Sequence, residues 1–168
     1  MMKADLFTYV GAFERGLDTL AHVLTKGAEF AATQGASTSQ MLDWRLLDDM
    51  SPLRAQVSTV CNFATQWPAR AAGLPLPTDV DGDQDLPALF SDIAKAKAWL
   101  KDLTPDQFAG RDPEPATVSI GQEMTLPVGQ WIPGFAMPNF YFHLSIAYAI
   151  LRARGVQIGK RDFFAGGL

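Results

Sequence analysis

The 168-residue chain has one cysteine, Cys61, and two histidines, His22 and His143. A single thiol allows no internal disulfide, and no Cys-x-x-Cys, His-x-x-x-His or His-Glu-x-x-His spacing exists to mark a zinc site. Basic residues are not in excess: 14 Lys and Arg stand against 18 Asp and Glu, a net charge of -4. The basic patch required to bind nucleic acid or an anionic membrane is therefore missing. Long uncharged apolar runs are missing too. Asp5 and Glu14 interrupt the N-terminal stretch, and the longest candidate, Trp131 to Ile150, contains Pro133, Gly134, Pro138, Asn139 and His143. It reads as a loop running into a buried helix, so neither a leader nor a membrane span is expected, and the expected compartment is the cytoplasm. No Gly-x-Ser-x-Gly elbow occurs. The Gly155-to-Arg161 run is one residue short of a phosphate loop, has Arg where Ser or Thr is needed, and leads into no evident helix. Internal repeats and low-complexity stretches are absent.

The chain does contain enough apolar surface to fold without staples. Hydrophobic residues make up 48% and aromatics 11%, which offsets the entropy of ordering and excludes disorder. One domain over 1–168 is expected. Leu6, Val10, Phe13, Leu17, Leu20, Leu24, Ala28 and Ala31 recur at three- and four-residue steps from Asp5 to Thr33, the signature of an amphipathic helix, with Gly35 as its stop. A second helix is expected from the Ser37-Thr38-Ser39 cluster to Ala72, kinked or broken by Pro52 near Asp48 to Ser51 and again perturbed by Pro68. A Pro/Asp/Gly-rich connector covers 73–84. The third helix follows, with Pro87 in its first turn and its end near Leu103; Thr104-Pro105 opens a short helical turn through Phe108. The β-branched residues flanking Gly121-Gln122 predict a small β-hairpin within Ala116–Val128. The last helix spans Pro138 to Arg154, apolar almost all round and hence central, with Gly155 as its cap. The fold class is all-α: a four-helix bundle with a small β-hairpin insertion before the last helix.

Few residues carry chemistry. His22 falls about 160° round the first helix from Leu6 and reads as a solvated histidine. His143 lies among Phe140, Phe142, Ala147 and Ile150, and two readings stay open: a hydrogen-bonded core histidine, or a ligand-binding or acid/base group. If the second helix is regular, Arg45, Asp49 and Gln56 project within about 40° of one another beside the apolar face. They are either a structural i,i+4 pair with a polar neighbour, or the lining of a pocket facing His143. Cys61 has no basic neighbour in sequence and reads as a small hydrophobe. The aromatic residues Phe135, Phe140, Tyr141 and Phe142 fit a core or the wall of an apolar ligand pocket. A metal site from His143, Asp49 and Cys61 is demanded by no spacing, so no metal and no cofactor is expected.

Three stretches, taken in order, point to a family: Arg45-Leu46-Leu47-Asp48-Asp49-Met50-Ser51-Pro52-Leu53 with Gln56-Val57, then Pro138-Asn139-Phe140-Tyr141-Phe142-His143, then Gly159-Lys160-Arg161-Asp162-Phe163. Over nearly its whole length the chain resembles an uncharacterised bacterial family, a domain of unknown function grouped with the DinB/YfiT-like four-helix bundles. The resemblance implies a bundle with a long crossover, often a homodimer. The superfamily includes metal-binding proteins and thiol-dependent transferases, whose usual triad has one histidine on the second helix and a His-x-x-x-His pair on the last. His143 matches one of that pair, Ala147 replaces the other, and the second helix has no histidine, so the metal chemistry is not carried over. Three readings follow. The first is a metal-free bundle binding a small molecule through Arg45, Asp49, Gln56, Asn139, Tyr141 and His143. The second is a hydrolase or transferase with His143 as general base, oriented by Asp49, or as part of a non-standard metal site. The third is a non-catalytic structural or regulatory homodimer.

Overall fold

The structure, a computed structural model, describes residues 5–167; the first four residues of the stretch read above for a leader lie outside that range. Its four long helices are α1 (Thr8–Thr33), α3 (Leu53–Ala72), α4 (Leu86–Lys101) and α6 (Met137–Ala153), with short helices α2 (Thr38–Leu42), α5 (Val128–Trp131) and α7 (Lys160–Phe163) between and after them. The apolar stripe of α1, from Val10 through Phe13, Leu17, Leu20 and Leu24 to Ala31, is buried as its spacing predicts. Three helices stop by one device. At Gly35, Gly73 and Gly155 the backbone turns to positive φ, and the next amide reaches back to the carbonyl five residues earlier: Ala36 to Ala31, Leu74 to Ala69, Val156 to Leu151. This closes the orphan carbonyls of the last turn, and only glycine enters that conformation without strain.

The second helix departs from its sequence reading. Ser37 and Gln40 form a reciprocal capping box, but the helix they start ends at Leu42, and residues 43–52 are not helical. Pro52 has no N–H to offer a ladder and disfavours helical geometry at Ser51. It becomes the extended cap of α3, so of the expected kink or break it is the break that holds, and it is wider than expected: two helices joined by a ten-residue bridge. Pro68 has no such effect, since α3 continues past it to Ala72. Arg54 clamps the bridge region: it donates to the carbonyls of Ser39, Asp83 and Gln84 and pairs with Asp43 at 2.9 Å. The third helix matches, with Asp85 capping the Ala88 amide at 2.9 Å and Pro87 in the first turn.

β1 (Pro115–Ser119) and β2 (Glu123–Pro127) pair antiparallel, Ser119 opposite Glu123, with Gly121 at positive φ in the turn. Ala116, Val118, Met124 and Leu126 alternate inward as period two requires. Trp131 Nε1 donates to the Ala116 carbonyl at 2.8 Å and ties the hairpin to the bundle. The expected loop before the last helix is instead helical: α5 passes through a π-turn at Ile132–Ala136 directly into α6. The Asn139 amide nitrogen donates to the Phe135 carbonyl at 2.8 Å, satisfying one of the groups that a widened turn releases.

The C-terminal tail also differs, because α7 follows the Gly155–Gly159 stretch where no helix is evident in the sequence. His22 is not simply solvated. Its Nε2 donates to Asp162 Oδ1 at 2.8 Å, Lys26 lies 3.5 Å from the same oxygen, and Thr19 Oγ1 donates to the Phe163 carbonyl at 2.9 Å. The His22 hydrogen bond and the Gly159 amide hold the Asp162 carboxyl down at about 2. These contacts fasten the tail to α1.

α6 packs against α3 and α1. Phe140 meets Phe13 edge-on at 4.9 Å, a geometry worth about 0.5–1.5 kcal/mol beyond area burial. Gly16 makes room for it, since a Cβ there would stand 2.3 Å from the Phe140 ring. Gly11, on the same helix, would meet only the flexible end of Arg15. Replacing Gly11 with Ala is therefore expected to stabilise the fold by about 0.5–1 kcal/mol through helix propensity. Gly16→Ala gains the same propensity but overpacks a fully buried ring, and is expected to lose about 1–3 kcal/mol net of that gain. Denaturant unfolding of the two variants checks the opposite signs.

Candidate functional site at His143

With α3 starting at Leu53, Gln56 lies in its first turn and is 3% exposed. A buried amide must find partners at both ends. Its nitrogen donates to the Ser51 carbonyl at 3.1 Å, and its oxygen lies 2.8 Å from His143 Nδ1, on α6. A carbonyl only accepts, so Ser51 fixes which end of the Gln56 amide faces it. The remaining oxygen only accepts as well, so His143 carries its proton on Nδ1. Nε2 is thus left as a lone-pair acceptor. It has no partner among the described residues and is not sealed from solvent.

The ring is half-buried. Phe63 lies 6.2 Å from it at 34°, and Phe142 meets it edge-on at 5.2 Å. Behind Phe63 stand Phe135 and Trp67, at 6.1 and 6.4 Å. Burial among these groups pushes the imidazole below its ordinary value of 6.5. Among the described residues no carboxylate comes within 4 Å of it, the one histidine–carboxylate pair being His22 with Asp162. At neutral pH this is an uncharged hydrogen-bond acceptor walled by aromatic rings.

The six residues predicted to line a pocket do not all come together. Gln56 and His143 do. Asn139 precedes His143 by one helical turn on the same face of α6, with its amide nitrogen committed to Phe135. Arg45 lies on the non-helical bridge, where it is exposed and donates to the Met50 carbonyl. Asp49 is exposed on the same bridge and forms no ion pair among the described residues. The shared stripe of Arg45, Asp49 and Gln56 presupposed a regular helix, which Pro52 prevents. Tyr141, about 200° round α6 from His143, is 38% exposed and lines a pocket of about 240 Å³ with Arg15, Thr19 and Phe163, to which His143 does not contribute. Two elements of the site were missed. The Ser51 carbonyl is backbone and leaves no side-chain signal. Phe63, seven residues after Gln56, shares its helical face and becomes visible once α3 is started at Leu53.

A metal of the superfamily's kind does not fit these residues. Gln56 takes one nitrogen of His143, and Ala147, fully buried, has no donor atom. Cys61 is buried, and burial with Asp92 nearby pushes its thiol up to about 12, far from a ligating thiolate. Among the described residues no three His, Cys, Asp or Glu side chains gather as an ion site.

The four-helix bundle with its hairpin insertion is a DinB-like fold. A solved structure, a DinB family member protein from Shewanella denitrificans, is similar to it with a TM-score of 0.82 and 28% identity, over 92% of this chain and 88% of that one. A model of the family described as "Domain of unknown function (DUF1993)" matches residues 7–164, and the chain belongs to that family. Comparison with curated proteins returns no match. Among the described residues no helix is long and apolar enough to cross a membrane.

The depressed value at His143 has a consequence for stability. Folding favours the neutral ring, so its contribution is complete above 6.5 and is lost as pH falls through the folded value. Denaturant midpoints of the wild type, compared with His143→Gln, are expected to converge as pH is lowered through that window. A difference that grows on acidification would contradict the assignment.

Proposed function

We propose that this protein binds a small molecule at His143, with Nε2 accepting a hydrogen bond from a ligand hydroxyl or amide and with Phe63 and Phe142 packing on its apolar part. The observation that carries this reading is the chain Ser51 carbonyl–Gln56–His143 Nδ1, which leaves one unpartnered and solvent-reachable lone pair in an aromatic setting. Such a site supplies few but well-oriented polar groups against an apolar wall.

Binding is favoured over turnover for a physical reason. A general base must hold the proton it takes, and a carboxylate behind the imidazole stabilises the resulting cation. Here Gln56 stands in that place with no charge, Asp49 lies on the exposed bridge, and burial disfavours the imidazolium. The ligand class is accordingly a neutral donor and not a substrate awaiting deprotonation. Assembly as a homodimer, on the resemblance to the wider superfamily, completes the reading.

Native mass spectrometry with elemental analysis, on protein purified without chelator or histidine tag, tests this. The expected result is a small co-purifying mass on a dimer, lost in His143→Ala and retained in His22→Ala, with no stoichiometric metal. Stoichiometric zinc or nickel lost in His143→Ala would overturn the metal-free reading. A small mass retained in that variant would move the ligand elsewhere.

A further inference from the structure

A second pocket, of about 230 Å³, lies between α3 and the hairpin, lined by Phe63, Trp67, Phe135 and Ile120 with Arg70 and Asn62 as polar neighbours. Its volume exceeds the ~150 Å³ cavity that accommodates a benzene ring. Arg70 is half-buried, with its guanidinium 5.2 Å from the Trp67 ring centroid. One of its terminal nitrogens donates to the backbone and side-chain oxygens of Gln66, at 3.2 and 3.3 Å. The other terminal nitrogen and Nε have no protein partner among the described residues, and no carboxylate comes within 4 Å of the group. Asp79, the nearby acid that favours the charge, accepts a hydrogen bond from the Gln66 amide instead. Asn62 is similarly divided: its oxygen accepts from the Val80 amide at 2.8 Å, leaving the amide nitrogen free to donate. A half-buried cation without a bonded counter-ion, beside aromatic walls and a spare donor, has the chemistry of an anion site with an apolar floor.

We propose that this pocket binds a small aromatic carboxylate, its ring against Phe63 and Phe135 and its anionic group on the free edge of Arg70. Neither polar group belongs to the His143 site, and the hairpin gains a role as the outer wall that Val118, Ser119 and Ile120 provide. The Trp131 bond to Ala116 holds that wall in place.

Phenylacetate and its neutral analogue phenylacetamide are the probes, with binding read by calorimetry and by amide chemical shifts of the folded protein. Phenylacetate is expected to bind at millimolar concentration or better and to shift the amides of Val118, Ser119 and Ile120. Phenylacetamide is expected to bind about tenfold more weakly, the equivalent of one charge-assisted pair. Arg70→Met should remove that preference without affecting phenylacetamide, and Arg70→Lys should keep part of it. His143→Ala, which alters the packing on the Phe63 ring that the two sites share, should leave the preference unchanged. Equal affinity for the two probes, an unchanged preference in Arg70→Met, shifts confined to other elements, or no phenylacetate binding at millimolar concentration would each overturn the proposal. Because the His143 variant is included, this site and the one proposed above fail separately.

Discussion

Pro52 has no amide hydrogen and disfavours helical geometry at the residue before it, and the centre of the molecule is arranged around the helix start that results. Because α3 starts just after Pro52, the first carbonyl of its ladder is that of Pro52, which accepts from Ala55 and Gln56. The Ser51 carbonyl is therefore outside the ladder and free to accept from the Gln56 side chain. That bond orients the amide, the amide sets the tautomer of His143, and the tautomer exposes a lone pair on Nε2. A backbone restriction on one helix thus becomes a chemical property on another, through two hydrogen bonds.

The long-range packing serves the same end. Gly16 lets Phe140 approach α1, and Gly27 does so for Leu151. These close approaches set the position of α6, and with it the 2.8 Å separation between His143 and Gln56. The π-turn before α6 adds a residue to one turn, and Asn139 satisfies the Phe135 carbonyl there. Phe135 is thereby placed against Phe63 and Trp67, so one irregular turn serves the aromatic wall of the site.

Much of this fold was legible in the residues. The α1 stripe, the hairpin about Gly121, Pro87 in the first turn of α4, and the stops at Gly35 and Gly155 all follow from local rules of periodicity and backbone freedom. What escaped depended on tertiary partners. The extent of the break at Pro52 could not be read, because residues 43–52 are held by distant groups such as Arg54 and by the Leu53 amide on the Trp44 carbonyl. Helix through Ile132–Ala136 was hidden by Pro133 and Gly134, which in isolation read as a loop. His22 looked idle because Asp162 lies 140 residues away. His143 and Gln56 were both legible as members of one polar group, although Asp49 and not Gln56 was expected to orient the ring. Arg45, Asp49 and Tyr141 were placed by a helical regularity that does not hold or by membership of the same helix on its other side.

The account turns on the protonation of one ring. With nitrogen-15 in the imidazoles and His22→Gln to assign the signals, long-range nitrogen–proton spectra near neutral pH distinguish the two nitrogens of His143 directly. The expected result is a proton-bearing Nδ1 and an unprotonated, pyridine-type Nε2. A proton on Nε2, or a cationic ring at that pH, would contradict the chain from Pro52 to His143 and the binding site built on it.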